Sequence, residues 1–243
     1  ISELLLYYGF LVFSLVTLLY CRFVEKKNIE FAGFSGNPIE YLAGALVATI
    51  LLFIILGIGC LCGSISFCGF STNVNIKSIL LWILAFGIQG ATEEIMCRGF
   101  LLNSLKNRIS IPLAILISST AFVFPHLSSL IEADFVYAVV GIVNLYLVSI
   151  TFSILVLWRS NIWIACGLHS AWNFILYVIM GLSLSGSDSV SKGVVLFSVR
   201  DANILNGAEY GIEASVITTV VLGMLLFVMV KGWKGRIGKD GIS

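Results

Sequence analysis

Residues 90–99 read Gly-Ala-Thr-Glu-Glu-Ile-Met-Cys-Arg-Gly and place three ionisable side chains directly after a strongly apolar run. That run, residues 79–86, reads Ile-Leu-Leu-Trp-Ile-Leu-Ala-Phe. An ionisable side chain at membrane depth costs at least about 2.5–3.5 kcal/mol, so three of them need a reason. On a helix Glu94 and Arg98 lie one turn apart on the same face, and we predict that they form an ion pair. A pair that only locks two helices together leaves Glu93 unexplained, because Glu93 points about 100° away around the helix.

The composition of the whole chain is that of a polytopic membrane protein. Of its 243 residues 59% are hydrophobic and 11% are charged, and the mean hydropathy is +1.05. Apolar segments of about twenty residues recur, which is the length that spans a bilayer as a helix. We therefore predict an all-α polytopic transmembrane helical bundle, with residues 1–243 as a single membrane-embedded domain and a motif core at about residues 77–181. The net charge of +1 and the lack of a basic stripe argue against a nucleic-acid partner.

The apolar segments predict seven spanning helices separated mostly by short linkers. The expected spans are Leu4–Val24, Tyr41–Cys62, Lys77–Leu105, Ile111–Leu130, Phe135–Trp158, Ile162–Gly181 and Ala214–Val230. The linker Ser183–Glu213 is rich in Ser, Gly, Asp and Asn, and this composition predicts an exposed loop.

The distribution of Lys and Arg predicts the orientation of these spans. If they alternate, one side of the membrane receives Arg22, Lys26, Lys27, Lys106, Arg108, Arg159, Lys231, Lys234, Arg236 and Lys239, and the other receives Lys77, Lys192 and Arg200. By the positive-inside rule the N-terminus then lies outside and the C-terminus in the cytoplasm. We expect an integral, multi-pass membrane protein.

Both histidines of the chain lie inside predicted spans. His126 follows Pro125 in the fourth span, and His169 lies in the sixth, one turn before Asn173. The proline is expected to kink its helix beside His126. A lone histidine in a span can be a hydrogen bond between helices, but both of them together with Glu93 predict a common cavity. We expect that cavity to open towards the cytoplasm.

These side chains can hydrolyse an amide with a water molecule. A carboxylate and a neutral imidazole can hold the water and take its proton, while a second imidazole and an amide N–H₂ can donate to the developing oxyanion. Three alternatives stay open. Glu93, His126 and His169 could ligate zinc in a metalloprotease, although Asn173 beside His169 is a poor zinc ligand. A proton-coupled transporter also uses buried carboxylates and histidines. A non-catalytic immunity protein or sensor-kinase regulator of the same fold is the third.

Three short motifs stand in order on three predicted helices: Glu93-Glu94-x-x-x-Arg98, Phe122-x-x-x-His126 and His169-x-x-x-Asn173. Together they resemble the type II CAAX prenyl endopeptidases and their bacterial branch, the CPBP or Abi family of intramembrane proteases. The similarity extends over about Trp82–Val230. Members of this family are often described with eight spans, so seven predicted spans lead us to expect that one N-terminal helix is missing here.

The resemblance implies a glutamate-dependent intramembrane endopeptidase without a cofactor. In such an enzyme Glu93 and His126 activate water, and His169 and Asn173 form the oxyanion site. Glu94 and Arg98 support that arrangement by orienting Glu93. The implied substrate is a membrane-associated or lipidated peptide in contact with membrane lipid, and a membrane sensor or transporter is an alternative partner.

Overall fold

A computed structural model describes residues 2–187 and 193–240 of the chain. Within these residues seven long helices follow one another, with two short strands between them. The helices are α1 (Ser2–Phe23), α2 (Glu40–Leu61), α3 (Ile76–Leu105), α4 (Ile111–Ile131), α5 (Phe135–Arg159), α6 (Trp163–Ile179) and α7 (Val216–Asp240). The strands are β1 (Ile65–Phe70) and β2 (Val195–Val199).

This architecture confirms the predicted helical membrane bundle. Each helix coincides with one of the seven predicted spans, within a few residues at most ends. Six of them are long and apolar enough to cross a membrane, by length and composition. The exception is α6, which is apolar but shorter than the other six helices.

The helices alternate in direction, so their ends define two faces. The face that we call the basic face holds the ends of α1, α3 and α5, where Lys106 and Arg159 lie. There Arg159 donates to the carboxylate of Glu40 at 2.7 and 3.0 Å, and Asn103 donates to Phe31 O at 3.0 Å. The opposite face, the loop face, holds the start of α3, α5 and α7 and the segment after α6.

Two of the motif helices depart from regular α geometry next to their polar residues. In α3 the α-helix ends at Glu94, and residues Ile95–Leu102 form a π-helical turn that contains Arg98. In α4 a 3₁₀ turn, Phe124–His126, separates two α-helical pieces. This 3₁₀ turn lies where the sequence predicted a kink, because proline has no N–H to donate to the preceding turn. Irregular turns of this kind often occur at functional sites.

The long linker is more ordered than its composition predicted. Its strand β2 pairs antiparallel with β1, Phe67 opposite Phe197, and a bulge follows on the β1 side. Beyond the strand Asn206 is 1% and Tyr210 3% exposed. The expected exposed loop is therefore wrong for this part, because its polar side chains hydrogen-bond within the segment: Asn206 Oδ1 accepts from the backbone of Asn203 at 3.1 Å and of Ala208 at 3.0 Å.

Two glycines bring α2 and α6 into backbone contact. A Cβ at Gly44 would lie 2.7 Å from the backbone nitrogen of Leu168, and one at Gly167 would lie 2.6 Å from the carbonyl carbon of Tyr41. Small residues of this kind allow close helix approach within membranes. α6, which carries His169, is therefore packed directly on α2.

The orientation of the two faces stays a prediction that thiol labelling tests. In a background without native cysteines, a cysteine at Asn107 on the basic face is expected to react with a membrane-impermeant reagent only after the membrane is opened. One at Ser187 on the loop face is expected to react in intact cells, because positive residues remain cytoplasmic. Both positions are exposed. Labelling of position 107 in sealed cells would reverse the orientation.

Candidate active site

The buried centre of the site is the predicted ion pair on α3. Arg98 Nη1 lies 2.8 Å from Glu94 Oε1, and both side chains are fully buried. The second nitrogen, Nη2, donates to the hydroxyl of Ser149 on α5 at 2.6 Å and to its carbonyl at 3.1 Å. The guanidinium also lies over the rings of Phe122 and Phe152, 4.6 and 5.3 Å from their centroids. Arg98 thus joins α3, α4 and α5.

Glu94 also contacts His169 on α6. Nδ1 of the imidazole lies 3.1 Å from Glu94 Oε1. A carboxylate oxygen accepts, so Nδ1 carries a proton in this contact and Nε2 is the nitrogen left for other partners. Nε2 lies 3.9 Å from Glu93 Oε2. That Glu94 and Arg98 orient Glu93 stays a prediction; the contact that the structure shows from Glu94 to another helix is the one with His169.

His126 lies beside the aromatic wall of the site. Its Nδ1 is 2.9 Å from the carbonyl of Phe122, and the ring centroids of the two residues are 5.1 Å apart. The same Phe122 ring contacts His169 edge-on at 5.7 Å. Because a carbonyl only accepts, the neutral His126 ring holds its proton on Nδ1 and presents a lone pair at Nε2. That nitrogen is chemically suited to take a proton.

A glutamine that none of the three motifs contains joins the first and third motifs. Gln89 Nε2 donates to Glu93 Oε1. Its Oε1 accepts from Asn173 Nδ2 at 2.8 Å. Gln89 is 6% and Asn173 7% exposed. Sequence reasoning missed Gln89 because a neutral amide gives no charge signal, although its spacing of one turn before Glu93 places it on the same face.

The polar residues open onto a mostly apolar cavity of about 320 Å³. His126, His169, Asn173 and Gln89 line it together with aromatic side chains from five segments. These aromatic side chains are Tyr7, Phe10, Phe122, Phe152, Trp172 and Tyr210. The structure therefore brings both histidines and Asn173 to one cavity. Glu93, which was predicted to share this cavity, is not among its lining residues and contacts it through the hydrogen bond from Gln89.

The cavity extends towards the loop face. At that end it is lined by Leu6 of α1, by Ser185 and Ser187, and by Glu213. The Glu213 carboxylate accepts from Ser185 N at 2.6 Å and from Trp172 Nε1 at 3.0 Å. The expected opening on the basic face is wrong, because the lining residues lie at the opposite helix ends. Sequence reasoning also missed Glu213, since it lies in a linker of low-hydropathy composition.

Tyr210 lines the cavity beside Glu213. Gly186 N donates to the backbone carbonyl of Tyr210 at 3.2 Å. Burial raises the pKa of the Tyr210 hydroxyl to about 12, and the nearby Glu213 charge adds to this effect. Tyr210 therefore stays a neutral phenol at physiological pH.

The donor groups of a metal site are not assembled in the described part of the chain. Among residues 2–187 and 193–240 no group of three or more His, Cys, Asp or Glu side chains is placed to hold an ion. The zinc set considered from the sequence, Glu93 with His126 and His169, is accordingly not gathered into such a group. His126 belongs to α4 and contacts Phe122 O, whereas His169 lies between the two glutamates.

Comparison with known proteins agrees with the resemblance drawn from the motifs. The family model described as "Type II CAAX prenyl endopeptidase Rce1-like" matches residues 75–175. This stretch includes all three motifs, from Glu93 to Asn173, and it confirms the resemblance over that part of the chain. No curated protein and no solved structure matches the chain.

Proposed function

We propose, from the match of residues 75–175 to the type II CAAX prenyl endopeptidases, that this protein is an intramembrane endopeptidase that uses Glu93 to activate water. The observation that carries the proposal is the placement of His169. Its ring lies between Glu94, at 3.1 Å, and Glu93, at 3.9 Å, on the wall of an apolar cavity. A packing role alone does not require two carboxylates at one imidazole.

The proposed reaction begins with a water molecule between Glu93 and His126. The carboxylate of Glu93 and the lone pair at His126 Nε2 are the two bases, and one of them takes a proton as the water oxygen attacks the carbonyl carbon of the peptide bond. The carbon–nitrogen bond then breaks, and the leaving amine receives that proton. The products are a new carboxylic acid and a new amine, and transfer of the remaining proton from the acid to the amine gives a carboxylate and an ammonium group.

The tetrahedral oxyanion would be stabilised by donors from α6. Asn173 Nδ2 has a second hydrogen besides the one that it gives to Gln89. His169 can donate from Nε2 when its ring carries both protons, and its Nδ1–H is held by Glu94. Preorganised donors of this kind contribute typically about 10²–10³-fold each to the rate. Glu94 and Arg98 support the reaction by holding His169 in place.

The cavity favours an apolar peptide segment or a lipid-modified peptide as the substrate. Its walls are mostly aromatic and aliphatic. Its polar groups lie at the catalytic end and, towards the loop face, at Asn144, Ser185, Ser187, Glu213 and Thr218. Leu6 of α1 is 72% exposed on the bundle surface and also lines the cavity. A substrate already in the bilayer could therefore enter beside α1, and membrane lipid is part of its surroundings.

The proposed function is tested by searching membranes for an uncut substrate. Cells with the wild-type protein are compared by mass spectrometry with cells that carry Glu93→Ala or, as a matched control, Glu132→Ala at an exposed site. A peptide precursor is expected to accumulate only in the Glu93→Ala cells. The purified wild-type protein is then expected to cut a synthetic copy of that precursor. Identical peptide profiles in all three strains would reject proteolysis as the function.

We also propose that the reaction needs no metal, and a chelator distinguishes this from a zinc site. Activity of the purified protein is expected to survive prolonged dialysis against a strong chelator, because a glutamate–histidine site activates water without an ion. A zinc enzyme would instead lose activity on dialysis and regain it on addition of zinc. Elemental analysis of the same samples is the second measurement. About one zinc per chain, absent from Glu93→Ala, would contradict the proposal.

A further inference from the structure

The amide of Gln89 is the one connection between Glu93 and Asn173 that the hydrogen bonds of the described residues provide. Gln89 lies on α3, one turn before Glu93, and donates to Glu93 Oε1. On its other side it accepts from Asn173 Nδ2 of α6 at 2.8 Å. It is 6% exposed and lines the cavity. The amide therefore spans the interface between two helices at the position where they carry their proposed reactive groups.

The direction of these hydrogen bonds is fixed by chemistry. An ionised carboxylate only accepts, so Gln89 has to turn its nitrogen towards Glu93. Its oxygen then faces α6 and requires a donor, which is Asn173 Nδ2. Turning the Gln89 amide over would place its oxygen against the carboxylate and its N–H₂ against the N–H₂ of Asn173. Each contact would then be repulsive.

We propose that Gln89 is a positioning residue that sets the orientation of both Glu93 and Asn173. This inference rests on the proposed function. By occupying Glu93 Oε1, Gln89 leaves Oε2 to act on water, and Oε2 is the atom 3.9 Å from His169 Nε2. By occupying one hydrogen of Asn173 Nδ2, it leaves the second hydrogen for the oxyanion. One amide thus fixes the atom that accepts the proton and the atom that donates to the oxyanion.

The first test is the kinetics of Gln89→Met. Methionine is close to glutamine in length but provides neither hydrogen bond of an amide. Loss of orientation at the reacting groups is expected to lower kcat by about 10- to 100-fold, whereas KM changes by less than about threefold because uniform substrate binding is retained. A wild-type kcat for Gln89→Met would overturn the proposal.

Thr92→Val is the matched control on the same helix. Thr92 is fully buried and its hydroxyl lies 2.6 Å from that of Ser14 on α1, away from the cavity. This variant also removes a partly buried interhelical hydrogen bond, so it is expected to lower the melting temperature while kcat stays unchanged. An equal fall of kcat in Thr92→Val and Gln89→Met would show that any lost helix contact has this effect, and would refute a positioning role.

The second test needs no substrate. Melting temperatures in detergent are measured for Gln89→Met, for Asn173→Ala and for the double variant. If Gln89 and Asn173 share a hydrogen bond, either single change already removes it. The fall in melting temperature of the double variant is then expected to be clearly smaller than the sum of the falls in the two single variants. Strictly additive losses would overturn the link. This double-variant cycle tests the Gln89–Asn173 link separately from the proposed peptidase function, because its result does not depend on whether Glu93→Ala abolishes proteolysis.

Discussion

Replacing Glu93 with glutamine is expected to lower kcat by about 10²–10⁴-fold, the usual contribution of a positioned general base. Glutamine has the same shape and keeps an oxygen for the hydrogen bond from Gln89, but it does not take a proton from water. The Glu93 side chain is 17% exposed, so the neutral amide is expected to leave the melting temperature within a few degrees of wild type. The measurement is the cleavage rate of the purified protein with a thermal scan on the same preparation.

Glu132→Gln is the matched control for this prediction. Glu132 is exposed just after α4, so this substitution removes one negative charge outside the site. It is expected to cleave at the wild-type rate. Wild-type cleavage by Glu93→Gln would show that Glu93 is not the base, and the assignment would then pass to His126 or to a residue outside the three motifs.

Arg98→Ala is expected to have the largest effect on stability, a loss of about 3–5 kcal/mol in the free energy of unfolding. The change leaves the Glu94 carboxylate without its cation, and both side chains are fully buried. It also removes the two bonds to Ser149 and the packing on Phe122. The measurement is a thermal scan in detergent, in which a fall of many degrees is expected.

Two comparisons show whether the missing cation is the cause. Arg159→Ala breaks an ion pair with Glu40 in which the arginine is 45% exposed, and this variant is expected to lose no more than about 1 kcal/mol. The double variant Glu94→Gln with Arg98→Met removes both charges and keeps an acceptor for His169, so it is expected to be more stable than Arg98→Ala. Equal melting temperatures for Arg98→Ala and wild type would contradict a stabilising pair.

Much of the bundle could be predicted from the sequence because hydropathy acts over whole segments. The seven apolar runs, the pair of Glu94 and Arg98 and the break at Pro125 each depend on local rules of helix geometry, and the structure agrees with all three. The grouping of His126, His169 and Asn173 at one cavity was inferred from the cost of placing polar groups in a membrane.

The features that sequence reasoning missed depend on contacts between distant segments. β1 and β2 are far apart in the chain and each is too short to show a period, so only their pairing defines them. Gln89 is neutral, and its importance follows from Asn173 on another helix. The direction in which the cavity opens depends on Glu213 and Ser185 folding back over α6, and hydropathy carries no information about that contact.

The contact of α2 with α6 through Gly44 and Gly167 has a mechanical consequence. Because the backbones of α2 and α6 are in contact, sliding or rotation of either helix would produce steric clashes. α6 and its two proposed reactive residues are therefore held in a fixed position. α1 is different, because only 6% of its apolar span Leu5–Phe23 is buried in the bundle, although Tyr7 and Phe10 line the cavity. For a peptide substrate of the proposed kind, we therefore expect room in the cavity to come from displacement of α1 rather than of α6.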